Sequence, residues 1–115
     1  MSTRNPPWSQ DELIVTLDFY LRHSPAIPSK SSSEIAELSR FLNDLRASHG
    51  ADIPEKFRNH NGVYMKLMNF RRLDPQYLGK GLERGGYADE VVWRMYADDR
   101  EALRKAAAAI LASVR

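Results

Sequence analysis

The stretch from Phe57 to Pro75 mixes cations and amides with large apolar side chains. Arginine and lysine bind phosphate oxygens, and arginine and asparagine also pair bidentately with guanine and adenine edges. Backbone N–H groups at a helix N-terminus attract anions as well, and a glycine such as Gly62 lets a phosphate approach closely. The residue types in this stretch therefore predict contact with nucleic acid.

Positive charge is concentrated around the same stretch. The 115 residues carry a net charge of +2, but segment 56–84 alone has +5 and the remainder −3. This asymmetry indicates a localised anion-binding surface. We predict that DNA contacts come from the loop before the third helix, from that helix and from the glycine-rich loop after it. The predicted contact residues are Arg58, Asn59, Asn61, Lys66, Asn69, Arg71, Arg72, Tyr77, Lys80 and Arg84.

The prediction of this surface requires two properties of the structure. Its cations must lie on one side of the molecule, and they must not be consumed in internal ion pairs. Binding must also weaken with added salt, because each neutralised phosphate releases counterions.

Apolar residues recur at helical spacing in five segments, and no run alternates apolar with polar residues. We therefore expect a mainly α fold, a compact bundle of about five helices with at most a short β-hairpin at 52–58 or 80–86. Capping patterns begin the first, second and fifth helices at Ser9, Ser31 and Asp98, and Asn59 or Asn61 caps the third. The predicted helices are 10–22, 32–48, 62–73, 88–96 and 99–114.

The third helix has an unusually wide apolar face, formed around Val63, Leu67 and Phe70. Lys66, Asn69 and Arg72 align at spacings of three along one edge, where we expect them to be exposed. Arg71 falls inside the apolar arc, so it must extend outward or find a partner. The other interpretation is a core helix whose polar strip only touches water. The remaining four helices are predicted to be amphipathic scaffolding.

Composition excludes several kinds of chemistry. The chain has no cysteine, so it has neither a disulfide nor a thiolate ligand for zinc. Serines and carboxylates at helix starts are explained by capping, and we predict no catalytic residue, metal or cofactor. The three histidines stand far apart in the sequence, at His23, His49 and His60.

Length and hydropathy predict the number of domains and the cellular location of the chain. Its 115 residues suit one domain, 1–115. The polar N-terminus does not resemble a signal peptide, and no apolar run approaches the roughly 18 residues of a membrane span. We therefore expect a cytoplasmic protein without a membrane partner. Whether Arg115 is the native end or precedes a further domain stays open.

The central stretch resembles a signature of N-terminal modules in bacterial HNH-type endonucleases, including modification-dependent restriction enzymes. It reads F-R-N-x-N-G-V-Y-M-K-L-M-N-F-R-R-L-D-P from Phe57, with His60 where the family pattern usually has proline. Companion motifs cover nearly the whole chain. They are N-P-P-W-S-x-D-E-L from Asn5, S-x-E-I-x-E-L-S from Ser32, K-G-L-x-R-G-G from Lys80 and E-V-V-W-R-M-Y-A-D-D-R from Glu90.

The resemblance implies a module that binds double-stranded DNA, normally fused to or associated with a nuclease domain. Such modules include sensors of modified bases such as 5-methylcytosine. The HNH catalytic motif itself is absent from these 115 residues. We therefore expect no enzyme activity from this chain alone, and any cleavage would belong to the nuclease partner.

Two other functions stay open. The first is a protein-interaction domain that docks a nuclease or regulator through an exposed apolar patch. The second is a small hydrolase, which is disfavoured because no nucleophile and base stand in a recognisable pattern. Tyr77 and Tyr87 flank the glycine-rich loop, where an aromatic ring either stacks on a base or anchors the loop.

Overall fold

The structure, a computed structural model, describes residues 5–77 and 86–114. These residues form five helices and no strand, which confirms the prediction of a mainly α bundle. The possible hairpin at 52–58 is a turn-containing loop instead, and the alternative at 80–86 lies almost entirely outside the described residues. The helices are α1 (Gln10–His23), α2 (Ser33–Ser48), α3 (His60–Arg71), α4 (Tyr87–Tyr96) and α5 (Arg100–Val114).

Helix α1 is the centre of the bundle and packs against α3, α4 and α5. Every residue from Glu12 to Leu21 is buried, so the predicted polar face of this helix does not meet water. A helix covered on several sides must bury its polar side chains too, and these then need partners. Arginines supply them for Glu12 and Asp18, whereas the Thr16 hydroxyl has no hydrogen-bond partner within 5–77 and 86–114.

Local capping chemistry determines where the helices begin. Ser9 and Glu12 form the predicted capping box of α1, and the Asn59 side chain accepts a hydrogen bond from the Gly62 N–H at the start of α3. Two predicted caps were wrong by one residue, since Ser32 caps α2 and Asp99 caps α5. Adjacent serines or aspartates offer equivalent caps, and packing of the following apolar residues selects between them.

The core combines the apolar faces of all five helices. Helix α3 contributes Val63, Leu67 and Phe70, each with no exposed surface. The aromatic side chains of Phe19, Tyr20, Phe57 and Phe70 are buried, while Trp8, Phe41 and Trp93 are partly buried against this core. Within the described ranges, no helix combines the length and hydropathy that a bilayer crossing requires.

A buried hydrogen bond joins α1 to the chain segment that follows α3. The Tyr20 hydroxyl donates to Asp74 Oδ2 at 2.7 Å, and Asp74 Oδ1 accepts from the Gln76 N–H at 2.8 Å. Burial raises the pKa of Tyr20 well above its ordinary value. The Asp74 carboxylate raises this pKa further, because it accepts a hydrogen bond from the phenol and because it is negatively charged. Tyr20 therefore stays neutral in the folded protein at pH values where an unfolded tyrosine ionises.

This linkage predicts a loss of stability in alkali that depends on Tyr20. Because the pKa is raised on folding, the stabilisation is complete below pH ~10 and declines by up to about 1.4 kcal/mol per pH unit above it. Urea unfolding between pH 8 and 11 should show this decline in the wild type and a shallower one in Tyr20→Phe. The exposed Tyr87 offers a control, because Tyr87→Phe should keep the wild-type pH profile. Parallel profiles for wild type and Tyr20→Phe would contradict the assignment.

Candidate nucleic-acid interface

Arg58 was predicted to contact DNA, but the structure buries it, with 3% of its side chain exposed. Its Nε donates to Glu12 Oε2 at 2.7 Å and its Nη2 to Glu12 Oε1 at 3.0 Å. The carbonyl oxygens of Pro6 and Pro7 accept from Nη2 as well. Nε and Nη2 are thus committed to internal acceptors, so the expectation that Arg58 stays free of internal ion pairs on an open surface was wrong.

Two aromatic rings complete the surroundings of Arg58. The guanidinium carbon lies 4.4 Å from the centre of the Trp8 ring and 4.2 Å from that of Phe57. Cation–π attraction is stronger in such a desolvated setting than at the surface. The Asn-Pro-Pro-Trp-Ser lead-in and the Phe-Arg-Asn motif therefore meet at the buried Arg58 guanidinium.

The backbone at Arg58 is held as firmly as its side chain. Its φ angle is +44°, in the left-handed region that costs a non-glycine residue about 1–2 kcal/mol. The Arg58 carbonyl accepts from Ser39 Oγ at 2.6 Å, and the Phe57 carbonyl accepts from Asn43 Nδ2 at 3.0 Å. These contacts tie the loop before α3 to α2, and they orient the first residues of α3.

Lys66 is the second predicted contact residue that forms an internal ion pair. Its Nζ lies 2.9 Å from Asp89 Oδ1 and 3.2 Å from Oδ2, and the Asp89 side chain is only 1% exposed. The ammonium also lies 5.2 Å from the centre of the Trp8 ring. Asp89 further accepts from the Gly86 N–H, so the same carboxylate caps α4 and pairs with α3.

Arg72 pairs with α4 in the same way, although its geometry is poorer. Its Nη1 lies 3.4 Å from Glu90 Oε1, and its Nε and Nη2 are buried and have no hydrogen-bond partner among the described residues. The predicted strip of Lys66, Asn69 and Arg72 therefore exists along one edge of α3, but two of its three residues pair with α4. Asn69 is half-buried. The strip was predicted to be exposed because a helical wheel does not show which neighbouring helix covers an edge.

At the C-terminal end of α3, Arg71 makes a cation–π contact with Tyr77. The Arg71 guanidinium lies 4.7 Å from the centre of the Tyr77 ring, and both residues are half-buried. The Arg71 side chain thus finds an aromatic partner, as its place in the apolar arc required. Lys80 and Arg84, also predicted to bind DNA, lie outside the described residues.

The N-terminal end of α3 is the part of the predicted surface that does reach solvent. Asn59, His60 and Asn61 are all exposed. The N–H groups of the first helical turn have no intrahelical acceptor, and the Asn59 side chain satisfies only that of Gly62. A side chain at Gly62 would place its Cβ 3.3 Å from Asn59 Oδ1, so glycine keeps this cap uncrowded.

This helix end also differs in charge from the others. The first turns of α1, α2, α4 and α5 each hold at least one carboxylate, whereas that of α3 holds none. The partial positive charge of the α3 N-terminus is therefore not offset within the helix itself. His60 stands at the first position of α3 but was not among the predicted contact residues, although its place between two asparagines was visible in the sequence.

Within 5–77 and 86–114, no three histidine, aspartate or glutamate side chains are placed to hold a metal ion. The carboxylates at helix starts serve as caps and ion-pair partners, as Asp89 and Asp99 illustrate.

The buried pair between Glu12 and Arg58 predicts a large and specific effect on stability. Glu12→Gln leaves a buried guanidinium without its counter-charge, and we expect a loss of about 3–5 kcal/mol in the free energy of unfolding. Glu101→Gln makes the same chemical change in the exposed pair with Lys105, where a loss below about 1 kcal/mol is expected. Urea denaturation of both variants measures the difference. Equal losses would mean that Arg58 does not need Glu12.

Comparisons of the chain with known protein families, with curated protein sequences and with solved structures give no match. The resemblance to endonuclease modules therefore rests on the sequence motifs themselves and stays a prediction.

Proposed function

We propose that this chain is a DNA-binding module and that it contacts the phosphate backbone with the N-terminal end of α3. The observation that carries the proposal is the exposed first turn of that helix, which has no carboxylate and whose first N–H groups lack intrahelical acceptors. Helix N-termini with these properties bind phosphate oxygens through backbone N–H groups and the helix dipole.

Neighbouring side chains favour the same ligand. Lys56 and His60 are exposed near this turn in the sequence, and Asn59 and Asn61 add amide groups that hydrogen-bond to phosphate or to base edges. With Arg58, Lys66 and Arg72 committed to internal partners, the proposed contact is smaller than the surface expected from charge alone. A few phosphate contacts predict weak binding that is lost as salt rises.

The recognition of modified DNA is a finer proposal and rests on the sequence resemblance alone. It holds that 5-methylcytosine in a duplex strengthens binding and that a fused or associated nuclease domain carries out cleavage. In this proposal the chain supplies the DNA contact, and the chain alone does not cleave DNA.

A charge substitution at the N-terminal end of α3 distinguishes an effect on DNA binding from an effect on stability. His60→Glu adds a carboxylate that the helix dipole favours, so stability should rise or stay equal, by up to about 1 kcal/mol. The same carboxylate repels phosphate, and we expect duplex binding to weaken about fivefold in fluorescence anisotropy at low salt. Ala108→Glu is the control. It also adds one carboxylate, on the exposed side of α5, and should leave binding nearly unchanged.

The titrations should use plain and 5-methylcytosine duplexes at two salt concentrations, with and without a divalent metal ion. Binding that fades with salt and is weakened by His60→Glu but not by Ala108→Glu supports the proposal. Equal affinities of the wild type and His60→Glu would show that α3 does not contact the DNA. Equal affinities for the plain and the 5-methylcytosine duplex would contradict the recognition of the modified base.

A protein-interaction domain is the second candidate, and one surface favours it. A groove of about 260 Å³ between the start of α1 and α4 is lined by Gln10, Leu13, Tyr87 and Val91, among others. Tyr87 is 74% exposed and Met95, whose sulfur accepts from Gln10 Nε2, is 48% exposed. Exposed apolar side chains grouped in this way are typical of protein contacts. Absence of DNA binding at low salt would favour this candidate.

A further inference from the structure

A second pocket, of about 330 Å³, opens between α1, α2 and α5 and contains no residue of α3. Its volume is at the lower end of the range for small-ligand sites, roughly 300–1,000 Å³. The apolar part of the lining would accept a hydrocarbon stem. It consists of Val15, Phe19, Leu38, Phe41 and Leu111.

The polar lining is dominated by negative charge. Asp18, Glu34 and Glu37 contribute three carboxylates, against the single guanidinium of Arg22. Arg22 is already engaged, because its Nε donates to Asp18 Oδ2 at 3.0 Å. Asp18 is buried at the side of α1, while Glu34 and Glu37 are exposed on α2. An anionic ligand would be repelled here.

The His23 ring also belongs to this lining. Its Nδ1 lies 2.8 Å from the Phe19 carbonyl oxygen. A carbonyl oxygen can only accept, so Nδ1 carries a proton and donates to it. The ring also stacks on Phe19, with 4.0 Å between the ring centres, which helps to hold this orientation.

Glu34 remains charged at neutral pH. Hydrogen bonds from its own backbone N–H and from the Ser33 hydroxyl lower the pKa of its carboxyl group. The carboxylates of Asp18, Glu34 and Glu37 therefore outnumber the one guanidinium of Arg22, and the lining of the pocket is rich in anionic acceptors.

We propose that this pocket binds a primary ammonium group carried on an apolar stem. The stem lies against the side chains of Phe19, Phe41 and Leu111. The ammonium group donates to the carboxylates of Glu34 and Glu37, and three donors match an acceptor-rich rim. The same chemistry is present in a free alkylamine and in a lysine side chain of a partner protein. The proposal does not depend on DNA binding, because the pocket and the α3 N-terminus have no residue in common.

Matched ligands test the charge requirement. Pentylammonium, pentanol and hexanoate share one pentyl stem and differ only in the head group. In titrations of the full chain followed by amide chemical shifts, pentylammonium should bind about fivefold more tightly than pentanol, and hexanoate should not bind. Shifts should concentrate at residues that line the pocket, such as Glu37, Phe41 and Leu111. Equal binding of pentylammonium and pentanol, or no binding of either, would overturn the proposal.

A substitution pair tests the site on the protein. Glu37→Gln should weaken pentylammonium binding about two- to fivefold, the effect of removing one partly solvated ion pair. Asp44→Asn removes an exposed carboxylate from the same helix outside the pocket and should leave binding unchanged. Equal effects of the two substitutions would indicate general charge attraction and contradict a specific site.

A further ligand distinguishes the two sources of the ammonium group. Nα-acetyl-lysine methylamide presents the side chain of lysine as it occurs within a polypeptide. If this compound binds at least as tightly as pentylammonium, the pocket fits a partner's lysine. If pentylammonium binds more tightly, the pocket fits a free amine.

Discussion

The arrangement of the bundle depends on a guanidinium that water does not reach. Arg58 is buried, and a buried guanidinium left without partners costs several kcal/mol. Both Glu12 oxygens, two proline carbonyls and two aromatic rings meet this demand together. The N-terminal lead-in, the start of α1 and the loop before α3 must therefore come together at one point, and hydrogen bonds from Ser39 and Asn43 add α2 to that junction.

Polar links of the same kind connect the other helices. Lys66 and Asp89 join α3 to α4, and Tyr20 and Asp74 join α1 to the segment after α3. Each link leaves few alternatives for the packing of its helices, because a buried charge or hydroxyl must meet its particular partner. The motifs that resemble endonuclease modules supply most of these residues. Part of that signature is therefore accounted for by folding, independently of any DNA contact.

Pairing also changes what the charge asymmetry of the chain means. Segment 56–84 has a net charge of +5, but three of its cations are neutralised by carboxylates of α1 and α4. An excess of charge in the sequence is therefore not an excess at the surface. Among the described residues, two local features that reach solvent are the acid-free first turn of α3 and the carboxylate-lined pocket between α1, α2 and α5. Their opposite preferences suit two different ligands.

The sequence by itself determined the five helices, the caps of α1 and α3 and most of the core. These features depend on contacts between residues three or four positions apart, which periodicity and capping patterns describe directly. It also located Asn59 and Asn61 at the start of α3. Only the tertiary structure decided that Arg58, Lys66 and Arg72 are structural cations and that the polar residues of α1 are buried. Their partners stand 46, 23 and 18 positions away, and helix packing, rather than any local pattern, brings such residues together.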